Sequence, residues 1–106
     1  MSESEKPESE KYLVRPEMSA CLDDKGENYL LDVVLPGVKK EVIDISMHDD
    51  VVQVIAEKDE LVYAGHLHFG LKVIPEQAKA NYDNGLLKMT IPLKEKRAPP
   101  VKVKVE

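Results

Sequence analysis

Apolar residues along this chain come in short runs, most of them alternating with polar ones and separated by turn residues. Met18, Ala20 and Leu22 occupy every second position up to Asp23-Asp24-Lys25-Gly26, which reads as a turn. Residues 29–35 are rich in β-forming side chains and stop at Pro36-Gly37. Residues 42–48 then alternate, with Ile43, Ile45 and Met47 on one face and Asp44, Ser46 and His48 on the other. Asp49-Asp50 fits a two-residue hairpin, with residues 51–56 pairing back. A charged link over 57–60 leads to two further runs, 61–64 and 66–74, the second ending at Pro75. Residues 78–82 predict a short strand, Asp83-Asn84-Gly85 the strongest turn of the chain, and residues 86–93 the returning strand. Residues 101–105 form a last alternating segment beyond a polar, proline-ended linker.

No window supports a helix of more than a turn or two. The best candidate, residues 75–79, is too short to nucleate alone. About eight short strands, with turn signals every ~8–12 residues, predict an all-β fold, an antiparallel immunoglobulin-like β-sandwich.

The turn residues have distinct tasks. Pro36 lacks an N–H and Gly37 tolerates unusual φ, so together they end one strand and let the chain swing to the second sheet. Asn84 and Gly85 can both take positive φ, which a tight hairpin needs. The same turn sets register, since a one-residue slip would turn Leu87, Met89 and Ile91 outward.

With 106 residues the chain is one domain with tails. Residues 1–15 read as a disordered acidic arm, 16–93 as the sandwich and 94–106 as a flexible tail. Net charge is −5, with a basic tail set against an acidic body. That distribution argues against nucleic acid, because phosphate binding wants a basic face on the folded domain. It also lets the tail be attracted to its own or a neighbouring body. No apolar run approaches the ~18 residues of a membrane span, and there is no basic-plus-apolar leader. Cys21 is the single cysteine, which excludes an intrachain disulfide and fits a reducing, cytoplasmic setting.

Candidate chemistry is sparse. His66 and His68 share a strand face, but with His48 as the only other histidine they read as polar surface rather than a metal site. Acids follow Cys21 and disfavour a thiolate. The five glycines read as isolated turn residues, not a phosphate cradle, and Met47 and Met89 as core or groove filler, not a copper site. The residues therefore indicate no enzyme, no cofactor, no metal and no small-molecule substrate.

Three motifs point further. Leu35-Pro36-Gly37-Val38 with its following lysines and glutamate, Ala80-Asn-Tyr-Asp-Asn84-Gly85-Leu86-Leu87, and Val101-Lys-Val103 (or equally Val103-Lys-Val105) occur in that order. Together they resemble the alpha-crystallin domain of small heat-shock proteins, over a stretch from about Pro16 to the C-terminus. The resemblance implies an ATP-independent chaperone that binds unfolding proteins and limits their aggregation. It implies an apolar groove between the strands at 42–48 and 78–82, with Ile43, Ile45, Met47, Ala80 and Tyr82 as candidates to line it. Alternation does not say which of these line a groove and which line the core. Val101, Val103 and Val105 become a C-terminal anchor for the groove of a neighbouring subunit, with one apolar edge and lysines on the other.

The chain departs from that family in two ways. Its N-terminal arm offers only Tyr12, Leu13, Val14 and Met18 as apolar groups, where the family's arms are longer and apolar. Its link at 57–65 is short, where non-animal members exchange a strand on a long loop, so a monomer or an edge-paired dimer is expected over a swapped one. Both departures lean toward an alternative, the CS-domain co-chaperones or an assembly factor, which share the sandwich but act as adaptors. The Leu-Pro-Gly-Val motif, the residue 80–87 motif and the tail favour the chaperone.

Overall fold

A computed structural model describes residues 11–96, 98 and 100–106. The alternation resolves into eight strands: β1 (Tyr12–Val14), β2 (Glu17–Leu22), β3 (Asn28–Val34), β4 (Ile43–Met47), β5 (Val51–Lys58), β6 (Leu61–His68), β7 (Lys79–Asp83) and β8 (Leu86–Pro92). They form two four-stranded sheets, ordered β1-β6-β5-β4 and β2-β3-β8-β7. Every pairing is antiparallel except that of β1 with β6. The expected immunoglobulin-like β-sandwich is the observed fold. Single 3-10 turns precede β4 (Lys40–Val42) and β7 (Pro75–Gln77), the latter within the stretch that was the best, though too short, helical candidate.

Period-two side chains decide what each strand buries. Leu31 and Val33 from β3, Val52, Val54 and Ala56 from β5, and Leu87, Met89 and Ile91 from β8 meet between the sheets and are buried. Tyr63 from β6 and Phe69 and Val73 beyond it complete that side of the core. The Tyr29 ring stacks on Phe69 at 4.9 Å, and the Tyr29 hydroxyl accepts the backbone N–H of Leu71 at 3.2 Å. Central strands β3, β5 and β8 supply most of the core, while β4 and β7, at the sheet edges, are only half-buried or exposed.

Three details differ from expectation. The charged link at 57–60 is half strand: β5 runs on to Lys58 and turns back at Asp59-Glu60, with Asp59 at φ +53°. The two runs 61–64 and 66–74 are one strand only as far as His68, and Gly65 sits inside it rather than in a turn. A Cβ there would stand 2.9 Å from Met18 Sδ and 3.0 Å from Pro16 Cδ, so the glycine admits a close crossing of the sheets. Finally, β1 lies within the stretch read as an arm. Its residues Tyr12, Leu13 and Val14 pair with Leu61, Val62 and Tyr63, and the Tyr12 N–H donates to Glu60 O at 2.9 Å. Residues 1–10 of that arm lie outside the described residues, as do Arg97 and Pro99 of the tail.

The Pro36-Gly37 and Asn84-Gly85 turns lie against each other. Leu35 N–H donates to Gly85 O at 2.7 Å, and a Cβ on Gly85 would stand 3.2 Å from Pro36 Cα. Gly37, Asn84 and Gly85 all take positive φ, at +75°, +53° and +80°. The turn between β2 and β3 is closed by Asp23. Its Oδ1 accepts the backbone N–H groups of Glu27 and Asn28, and its Oδ2 accepts Asn28 Nδ2 at 2.8 Å. The Asn28 side chain, then the backbone donors, hold the Asp23 carboxyl below its ordinary value of 3.8.

Two outcomes follow from these turns. Gly85→Val, with a β-branched side chain at positive φ and Pro36 in its path, should lower unfolding stability by about 1–3 kcal/mol, read from urea titration; a loss of only a few tenths would contradict the turn. A depressed folded-state value means Asp23 stabilises the fold above its unfolded value, and that contribution fades as pH falls through the lower folded one. The stability gap between wild type and Asp23→Asn should therefore be widest near neutrality and close as pH drops below about 3.8, measured as urea midpoints across an acid series; a pH-independent gap would refute it.

Candidate functional site

Strand β4 ends one sheet and β7 ends the other, and each pairs on one side only. Their free edges flank an open groove of about 430 Å³. Ile45 and Met47 line one wall, Ala78 and Ala80 the other, with Met89 at the base and Pro75, Glu76 and Lys79 along the rim. The alternation of β4 produces the first wall, since Ile45 and Met47 face inward while Asp44 and Ser46 are exposed. The 3-10 turn at Pro75–Gln77 delivers the chain so that Ala78 and Ala80 share the facing side. Small alanines on one wall against larger side chains on the other keep the groove open.

Of the candidates read from the sequence, the structure brings Ile45, Met47 and Ala80 together in this groove. Ile43 and Tyr82 lie outside the lining and pack against the core. Tyr82 has a definite structural bond: its hydroxyl donates to Leu35 O at 2.6 Å. Pro75 and Ala78 escaped the sequence reading as groove residues, and Met89 was read there only as core or groove filler. Ala78 was legible, being two residues before Ala80 on the same face. Whether Met89 fills core or groove was not, because its place at the base depends on how the two sheets stack.

The tail does not lie in this groove. Leu93 N–H donates to Glu27 O at 2.9 Å, and Lys96 pairs with Glu27 at 3.3 Å. Ala98 and Pro100 lie against Leu22, Asp23, Asp24 and Gly26. The chain thus leaves β8 across the end of β3 toward the β2–β3 turn, away from β7 and the groove. Val101, Val103 and Val105 are 85, 85 and 91 % exposed.

Elsewhere, His66 and His68 meet edge to face at 5.4 Å, and Cys21 is exposed. Among the described residues no group of three or more His, Cys, Asp or Glu side chains could hold a metal ion. No helix among them is long and apolar enough to cross a membrane.

An immunoglobulin-like sandwich with two free strand edges beside a shallow apolar groove defines the class of the domain. Comparison with known proteins specifies it. The Hsp20/alpha crystallin family matches residues 22–106. The 18 kDa heat shock protein of Streptomyces albus G is 32 % identical, over 83 % of this chain and 71 % of its own length. The 18 kDa antigen of Mycobacterium leprae is 31 % identical over 77 % of this chain, which spans 64 % of that relative's length. Among solved structures, heat shock protein 16.0 of Schizosaccharomyces pombe superposes with a TM-score of 0.75 at 21 % identity, covering 88 % of this chain and 99 % of that one. The chain belongs to the Hsp20/alpha crystallin family.

The Tyr82–Leu35 bond ties the groove's β7 wall to the strand-ending turn. Tyr82→Phe should lower stability by about 1 kcal/mol, seen as a shifted urea midpoint at unchanged slope. An unshifted midpoint would show that the hydroxyl contributes nothing there.

Proposed function

We propose that this chain is an ATP-independent holdase that binds unfolding proteins and limits their aggregation. The observation that carries the proposal is the apolar groove set between two unpaired strand edges. An unfolding protein presents backbone donors and acceptors together with alternating apolar side chains. A free edge takes up the first and the groove the second, so extended segments bind by strand addition. Membership of the Hsp20/alpha crystallin family and similarity to an 18 kDa heat shock protein support this reading.

Self-association through the tail belongs to the same proposal. Val101, Val103 and Val105 form an exposed apolar row led away from the chain's own groove, so a second copy is the natural acceptor. Burying two valines contributes roughly 1.5–3 kcal/mol each, and ordering linker residues at about 1 kcal/mol or more apiece offsets much of that. Such docking is weak and exchangeable, and acts through multivalency. Warming releases the tail and uncovers the groove for clients. The process is reversible surface competition in the cytoplasm, with no nucleotide, metal or other cofactor.

The test is light scattering from a heat-labile client, with and without the protein at comparable molar amounts. Wild type should suppress the signal without nucleotide. Ala80→Glu, which sets a carboxylate in the groove at an exposed position, should suppress it severalfold less while staying folded. Undiminished suppression by Ala80→Glu would remove the groove from the mechanism. No suppression by folded wild type would overturn the holdase and leave the adaptor reading in its place.

A further inference from the structure

We infer that the tail docks in two registers, related by a two-residue slip and sharing Val103; this rests on the reading that the tail of a second copy occupies the groove. The inference comes from a mismatch in number. The groove offers two apolar rungs, Ile45 and Met47 on one wall facing Ala78 and Ala80 on the other. The next positions on the same faces, Ile43 and Tyr82, lie outside the lining, with the Tyr82 hydroxyl tied to Leu35 O. At the other end the lining passes to Pro75 and Glu76. The tail, by contrast, carries three equivalent valines at two-residue spacing, Val101, Val103 and Val105.

Alternate residues of an extended segment stand roughly 6.5–7 Å apart, the spacing of the rungs themselves. A one-residue slip would drive Lys102 or Lys104 into the apolar groove, whereas a two-residue slip returns a valine to each rung. Val101 with Val103, or Val103 with Val105, therefore fill the same two places. The intervening lysine faces outward in both cases, on the side where β4 exposes its polar residues Asp44 and Ser46. Nothing in the chain's own fold favours one register, because residues 101–106 form no element and are exposed. The second register also lengthens the tether by two residues, about 6.6 Å, so neighbouring copies can be linked at two separations.

Full-length variants test this by sedimentation across a concentration series, reading the self-association constant. Two equal registers sum, so Val101→Ser and Val105→Ser should each weaken association only about twofold. Val103→Ser removes a buried valine from both registers and should weaken it about tenfold or more, and the Val101→Ser/Val105→Ser double variant should match it. All three positions are solvent-exposed in the free chain, and circular dichroism checks that the sandwich persists. One silent end variant beside one as severe as Val103→Ser would establish a single register and overturn the inference. Severe effects at both ends singly would mean a three-rung groove and overturn it equally. Failure of the underlying reading looks different: the triple variant would associate like wild type, or wild type would stay monomeric throughout.

Discussion

The backbone of Leu35 is the point on which the rest of the structure depends. Its N–H is taken by Gly85 O and its carbonyl by the Tyr82 hydroxyl, at 2.7 and 2.6 Å, so one hairpin holds both polar groups of a fully buried residue. Left unpaired, each would carry a desolvation penalty of about 1–3 kcal/mol. Lys58 Nζ adds a longer contact to Pro36 O at 3.4 Å. The chain leaves its first sheet at this spot, and the angle of departure decides where β4 arrives. Because the grip comes from β7 and its turn, the two strands that flank the groove are positioned from one junction.

The distribution of burial complements that junction. β3, β5 and β8 carry fully buried aliphatic side chains, while the inward residues of β4 remain half-buried and much of β7 is exposed. Opening is cheapest where apolar contacts are few. The sandwich therefore has a firm centre and a yielding margin, and its apolar groove lies in the margin. Polar neighbours on the edges, among them Asp44, Ser46, Lys79 and Asn81, discourage indiscriminate pairing.

Much of this was legible in the sequence because the sandwich is written in local signals. Period-two alternation marks the faces, and Pro36-Gly37 and Asn84-Gly85 mark the reversals. Alternation could not separate Ile43 from Ile45, since both face inward and only the stacking of the sheets decides which one lines a groove. Gly65 looked like a turn residue because glycine is usually read that way; its role is a close approach to Met18 and Pro16, some fifty positions earlier. The β1–β6 pairing and the Glu27–Lys96 contact also join distant parts of the chain. Such contacts leave no periodic trace.

The turn between β5 and β6 has a consequence for kinetics. Asp59-Glu60 reverses the chain so tightly that no residue is left over to form a strand on a loop. Between β5 and β6 there is no segment that could be lent to a partner and then recovered, so two copies that met would do so with this part of each sandwich already complete. Parting requires only that surfaces separate, without unthreading. For assemblies of such units the lifetime is set by how fast contacts let go, not by how fast a fold reopens.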